Sequence, residues 1–298
     1  MVMDEIKQEV REFYNQVGWQ EVSEGVYQNA RYEDLRPVSR AYIHRCHMRV
    51  AEQLNPQGRY LLDAGCGPIQ YPEYLEYSRG YDKRVCVDIS SVAIQEARRR
   101  IGEHGLFVVA YIANLPFKPE VFDGVVSLHT IHHLPLSEHE QAYRELYRVL
   151  GSSARAVVVN GWDSALMGFF NPIIHWVERL YSWKQRNARN RHALDASPVD
   201  PAETRDPQSE AGDLTVDHRP QGTFVHKHNA SWLKEHVGQI MPVEIRVWRS
   251  VSVRFLRTFI HDGKGGRQIL RILAWLEERF PRFFGEKGVY PLIVISKA

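Results

Sequence analysis

Cysteine is scarce: Cys46, Cys66 and Cys86 are the only three in 298 residues. Three thiols cannot close a disulfide framework, and their spacing fits no zinc motif. A reducing compartment suits such a chain, and the cytoplasm is the expected location. Long apolar runs are missing too, with no stretch of about 18 residues able to span a membrane. The N-terminus, MVMDEIKQEVREF, is acidic and helical in pattern, unlike a signal peptide. Charge of one sign is also lacking: 38 Lys and Arg against 36 Asp and Glu leave a formal +2. Without a basic excess, nucleic acid is not an expected partner. Finally, no Phe, Tyr or Trp occurs between 184 and 223, where Pro, Asp, Arg, Ser and Gln dominate. That composition predicts a disordered excursion over 184–222.

What is present is ordinary for a globular protein: 44% hydrophobic, 11% aromatic and 25% charged residues. The length alone allows one large domain or two small ones. Ile6, Val10, Phe13 and Val17 fall at helical spacing, as do Tyr42, Cys46, Val50 and Leu54 across 38–54. These helices form an expected N-terminal cap over 1–58. The tyrosine-, arginine- and acid-rich stretch 27–37 reads as a solvated loop packed on the core. From 59 onward short Val-, Ile- and Leu-rich segments alternate with helical ones. Strands are expected at 59–67, 84–90, 106–112, 122–129 and 154–162, and helices at 91–101 and 138–150. This alternation predicts an α/β fold, a Rossmann-like doubly wound sheet with both faces covered. The core spans 59–162, an insertion 163–222, and 223–298 completes the same sheet. In that last part 242–255 and 288–298 read as strands and 266–280 as a helix.

The chemistry concentrates at Leu61-Leu62-Asp63-Ala64-Gly65-Cys66-Gly67. Here a strand ends in an acid, and a Gly-x-Gly turn lets backbone approach a ligand. Asp88 ends the next strand, 21 residues after Gly67, where a carboxylate can accept both hydroxyls of a ribose. A dinucleotide site needs a third glycine at 70, which is Gln70, and Asp63 suits a cationic ligand better than a pyrophosphate. A nucleoside carrying a positive group fits, and S-adenosylmethionine is one.

With LLDAGCG (61–67), VCVDIS (85–90), ANLPF…FDGVVSLHTIHHL (113–134) and ELYRVLGSSARAVVVNGW (145–162), the chain resembles class I S-adenosylmethionine-dependent methyltransferases of the small-molecule type. The resemblance is close over about 59–162. It implies a seven-stranded sheet, mostly parallel with a reversed final strand, and S-adenosylmethionine as cofactor. It also implies that Asp63, Gly65, Cys66 and Gly67 hold the methionine end and that Asp88 takes the ribose. Ile89 would pack on adenine, Tyr111 and Ile112 would meet its edge, and His129 would lie near the sulfur. His132, in the turn after the fourth strand, is the implied general base for a hydroxyl acceptor, with no metal involved. The alternative is that His132 and His133 only shape the pocket.

Two departures stand out: Ile69 where the family often has a third glycine, and Tyr111 where it usually has an aspartate facing the adenine amine. Losing a charged hydrogen bond costs about 1.5–3 kcal/mol, so Tyr111→Asp is expected to tighten cofactor binding. The acceptor implied is a small molecule, with a hydroxyl on an apolar or glycosylated metabolite as first candidate. Alternatives are a cofactor-binding protein without transferase activity and, against the Gln70 evidence, an NAD(P)-dependent oxidoreductase. His226-Lys227-His228 reads as surface strand rather than a ligand pair. The apolar segment 166–183, interrupted at Asn171-Pro172, is open to three readings: a lid on the acceptor pocket, packing against 266–280, or an interfacial membrane helix continuing to 191.

Overall fold

The computed structural model describes residues 2–19, 21–23, 26–27, 33–195 and 224–298. Its main sheet comprises β1 (Gly58–Ala64), β2 (Tyr81–Asp88), β3 (Gly105–Val109), β4 (Phe122–Leu128), β5 (Leu150–Val159), β6 (Val243–Arg249) and β7 (Tyr290–Ser296). The strand order is β3-β2-β1-β4-β5-β7-β6. Only β7 is reversed, pairing antiparallel with both β5 and β6. This is the Rossmann-like sheet with a reversed final strand that the sequence predicts. The chain winds outward from β1 to β3 and then returns to β4 on the other side of β1. Such a reversal opens a crevice at the carboxyl ends of β1 and β4.

Alternate side chains of each strand face opposite layers, so one strand feeds two cores. Leu61, Cys86, Val126, Val157 and Val159 join one core with α2 (Arg40–Ala51), α3 (Ser91–Ile101), α6 (Val253–Phe259) and α7 (Gly266–Arg279). Leu62, Val85, Val125 and Ala156 join the other with α4 (His139–Val149). Register keeps each set together, since Leu62 lies beside Val85 and Val125, and Val125 beside Ala156. Ser90 fixes the start of α3 by accepting from the Ala93 amide at 3.1 Å. Further helices include α1 (Val2–Phe13), α5 (Ala165–Asp195) and α8 (Pro281–Lys287).

Four local expectations change. The strand read over 242–255 stops at Arg249, because Ser252 caps α6 through the Phe255 amide at 3.1 Å. Helix α5 continues through Pro172, which removes the donor for the Gly168 carbonyl; Gly168 is exposed, so water can satisfy it. The same helix runs to Asp195, twelve residues into the stretch where composition predicts disorder; 196–222 lies outside the described residues. Glu33 and Asp34 belong to no solvated loop. Both are buried, Asp34 pairs with Arg36 at 2.7 Å and Glu33 with Arg249 of β6.

Candidate active site

A cavity of about 470 Å³ opens at the carboxyl edge of the sheet. Asp63, Gly65, Cys66, Gly67, Asp88, Ile89, Tyr111, Ile112, His129 and His132 all line it. The sequence therefore names ten residues that the fold brings together from four strand ends. Added to them are residues no motif announces: Lys7, Val10, Phe13, Tyr14 and Trp19 from the N-terminal segment, and Tyr71, Arg249 and Tyr290 at the far wall.

The glycine turn follows from backbone geometry. Gly65 has φ +76°, and a Cβ there would lie 2.2 Å from Thr130 Oγ1. Gly67 has φ +55°, and its amide donates to Asp88 Oδ2 at 2.9 Å. Ile69 also has φ +56°, a left-handed conformation that a β-branched residue strongly disfavours. Full burial of its side chain in the core holds it there. Cys66 is buried as well; burial and then the neighbouring Cys86 hold its thiol well above the usual range, so it is no nucleophile.

Asp88 is built as an acceptor. Oδ2 takes the Gly67 amide and Oδ1 the Ser90 amide at 2.9 Å. Each carboxylate oxygen has a further lone pair available. Burial pushes this carboxyl up to about 6, against the Ser90, Gly67 and Ile89 amides. Asp63 is less open than its sequence suggests. Its Oδ2 receives two bonds from Arg84 of β2, one of them at 3.0 Å, and both residues are buried. Burial opposes the Arg84 charge, but Asp63 overrides it and raises the guanidinium above its ordinary value.

Tyr111 donates its hydroxyl to Glu138, which also pairs with Lys7 at 2.6 Å. The Lys7 ammonium sits 4.7 Å from the Tyr111 ring centre. A cap residue thereby closes this corner of the cavity, and burial followed by Glu138 raises the phenol above its ordinary value. Two further bonds hold the cap down: Tyr14 donates to His133 Nε2 at 2.9 Å, and Ser90 donates to Asn15 at 2.6 Å. The Trp19 ring lies 3.1 Å from where a Cβ on Gly67 would be.

The histidines after β4 are neutral. His129 has φ +56° and sits edge-on to Trp248 and Tyr290 at 5.1 and 5.4 Å. Burial, then Arg249, lowers its pKa to about 3. His133 donates Nδ1–H to the Phe224 carbonyl at 2.9 Å, and burial lowers it to about 4. His132 Nδ1 bonds Asn160 Oδ1 at 3.2 Å, so Nδ1 carries the proton and Nε2 keeps the lone pair. Burial, then His133, puts its pKa well below the usual value.

None of the described residues of 163–195 lines the cavity, so the lid expected from that insertion is not formed by its described part; α1 and Trp19 cover the site instead. His226 and His228 lie in an extended segment that is not a strand. His228 Nε2 bonds His139 Nδ1 at 2.8 Å and the ring stacks on Trp232 at 3.5 Å. No group of three or more metal-ligating side chains exists among the described residues. Nor is any helix among them long and apolar enough to cross a membrane.

Parts of this chain are similar to known proteins. Residues 62–158 match the family model of a methyltransferase domain. The mouse eEF1A lysine and N-terminal methyltransferase is 28% identical over 123 residues, 40% of this chain and 17% of that protein. The chain thus spans about a sixth of the length of that curated relative. Among solved structures, geranyl diphosphate C-methyltransferase from Streptomyces coelicolor A3(2) superposes with a TM-score of 0.50 at 14% identity, covering 97% of this chain and 96% of that one. A S-adenosylmethionine-dependent methyltransferase from Aquifex aeolicus gives 0.36 at 20% identity, covering 43% and 69%.

Proposed function

We propose that this chain, whose residues 62–158 are a class I S-adenosylmethionine-dependent methyltransferase domain, transfers the methyl group to a small-molecule acceptor. The observation that carries the reading is that one continuous cavity is lined by Asp88 and Gly67 and also by His129, His132 and Tyr290. The cofactor supplies a sulfonium methyl group open to in-line displacement. The residues present fit it: Asp88 presents carboxylate oxygens that would accept from ribose hydroxyls, and Gly65 and Gly67 add no side chain of their own to the turn. Ile89 and Ile112 would offer apolar contact to adenine, while Asp63, held by Arg84, would take the ammonium of the methionine end.

Most of the catalysis then comes from positioning. His132 accepts the acceptor's hydroxyl proton at Nε2, with Asn160 fixing the ring through Nδ1. Its lowered pKa keeps the lone pair unprotonated across the physiological range. A weak base suffices here, because a hydroxyl becomes strongly acidic as its oxygen gains the methyl group. Tyr71, Tyr290 and the Arg249–Glu33 pair form the wall that an acceptor would meet. The enclosing cap favours a small acceptor over a protein side chain.

The test is transfer of labelled methyl groups from S-adenosylmethionine into a cell extract, followed by separation of small molecules from protein. Label in the small-molecule fraction is expected, and His132→Gln should remove it while S-adenosylhomocysteine still binds. Label confined to protein would overturn the small-molecule reading, and undiminished turnover in the variant would remove His132 from catalysis.

A further inference from the structure

Helix α5 carries an apolar stripe that the other described residues do not cover. Phe169, Ile173, Trp176, Leu180 and Trp183 recur at steps of four, three, four and three residues, which puts them on one face of the helix. All five are exposed, the aromatic rings at 71%, 63% and 58% for Phe169, Trp176 and Trp183. The helix itself is seated, so the exposure does not come from a detached element. Met167 and Ile174 are buried, Phe170 meets Phe255 of α6 edge-on at 5.3 Å, and Arg254 bonds Glu178 at 2.8 Å. Three exposed aromatic rings in one row exceed the scattered apolar residues that any surface tolerates.

Charge says what covers the stripe. Helix α5 contains Arg179, Lys184, Arg186, Arg189 and Arg191 against Glu178 and Asp195, and Glu178 is already paired with Arg254. On α7, which packs into the same core, Ile272 and Trp275 are exposed between Arg271 and Arg279; Glu277 there is buried and Glu278 pairs with Arg45 at 3.2 Å. Tryptophan and phenylalanine flanked by arginine and lysine is the composition of a helix that lies in a lipid headgroup layer. The chain's own segment 196–223 is a poor cover. It has no aromatic residue, and Val199, Leu214 and Val216 are its only larger apolar side chains.

We propose that the α5 stripe docks the protein on an anionic phospholipid bilayer, parallel to the surface and without crossing it. This does not depend on the methyl-transfer reading, since no residue of the stripe lines the cavity.

The experiment is flotation of the full chain with vesicles of phosphatidylcholine, with and without about one third phosphatidylglycerol. Binding to the anionic vesicles is expected, at least tenfold stronger than to phosphatidylcholine alone and weakened by salt. Trp176→Ser with Trp183→Ser should reduce it at least tenfold. An unchanged thermal melt would show the variant folded. Brominated lipids should quench the fluorescence of the unmodified chain, an independent readout that needs no variant. Absence of vesicle binding, equal binding by the variant, or a dimer that dissociates with the same substitutions would each overturn the proposal.

Discussion

Asp88 offers the sharpest test of the cofactor site, because its two roles pull against each other. Burial raises its carboxyl from an ordinary 3.8 to about 6, although the Gly67 and Ser90 amides favour the charged form. A folded state that holds a proton more tightly than the unfolded chain loses stability as pH rises. For Asp88 the loss falls between about pH 4 and 6 and amounts to at most about 3 kcal/mol, two units at 1.4 kcal/mol each. Ribose hydroxyls donate only usefully to the ionised carboxylate, so ligand affinity should move the opposite way. At pH 5 roughly a tenth of the sites are ionised, and S-adenosylhomocysteine should bind about tenfold more weakly than at pH 7.5.

Three neighbouring cavity groups leave that window clear: burial lowers His129 to about 3 and His133 to about 4, and it raises the Tyr111 phenol above its ordinary value. Calorimetric titration across pH 5–7.5 measures the effect directly. Asp88→Asn should abolish the pH step and weaken binding by about 100-fold, two charged hydrogen bonds at the lower end of about 1.5–3 kcal/mol each. The unliganded variant should melt close to the parent, since relief of a buried charge offsets one amide left without its acceptor. A flat pH profile together with unchanged affinity in Asp88→Asn would refute the assignment of Asp88 to the ribose.

Three further substitutions test neighbouring parts. Tyr111→Asp, expected from sequence to tighten cofactor binding, should instead weaken it, because the new carboxylate would face Glu138; S-adenosylhomocysteine titration decides, and tighter binding would restore the sequence-based expectation. Ile69→Gly relieves about 1–3 kcal/mol of left-handed backbone strain but removes a fully buried side chain worth about 2–5 kcal/mol. Urea unfolding should show a net loss of about 1–2 kcal/mol, and a more stable variant would mean strain outweighs packing. Arg84→Met strands Asp63 as an unpaired buried charge, which should cost about 3–5 kcal/mol at neutral pH, as read by thermal unfolding; an unchanged melt would mean that the pair contributes nothing to stability.

The sheet was legible because its information is local. Strands buried on both faces write unbroken apolar runs, and Asp63 and Asp88 each end one, 25 positions apart in a repeating β-α-β unit. The ten cavity residues follow from such strand ends and the turns after them. What pattern reading missed is made across long separations. Glu33 meets Arg249 over 216 positions, and Tyr14 meets His133 over 119. Nothing at Glu33 distinguishes it from a solvated acid until β6 arrives beside it.

The two candidate covers show the same limit from opposite sides. The stripe Ile6, Val10, Phe13 says that α1 buries a face but not against what, and Val10 and Phe13 prove to line the cavity. Positions 166–183 are far more apolar, which made them the natural lid, yet the rings of Phe169, Trp176 and Trp183 are exposed. Hydrophobicity measures how much a segment gains by being covered; only the tertiary contacts decide by whom. The weaker stripe closed the site because the bonds of Lys7, Tyr14 and Asn15 to Glu138, His133 and Ser90 anchor it there. Helix α5, pinned to α6 by Arg254 and Phe255, is left with an apolar face that the other described residues do not bury.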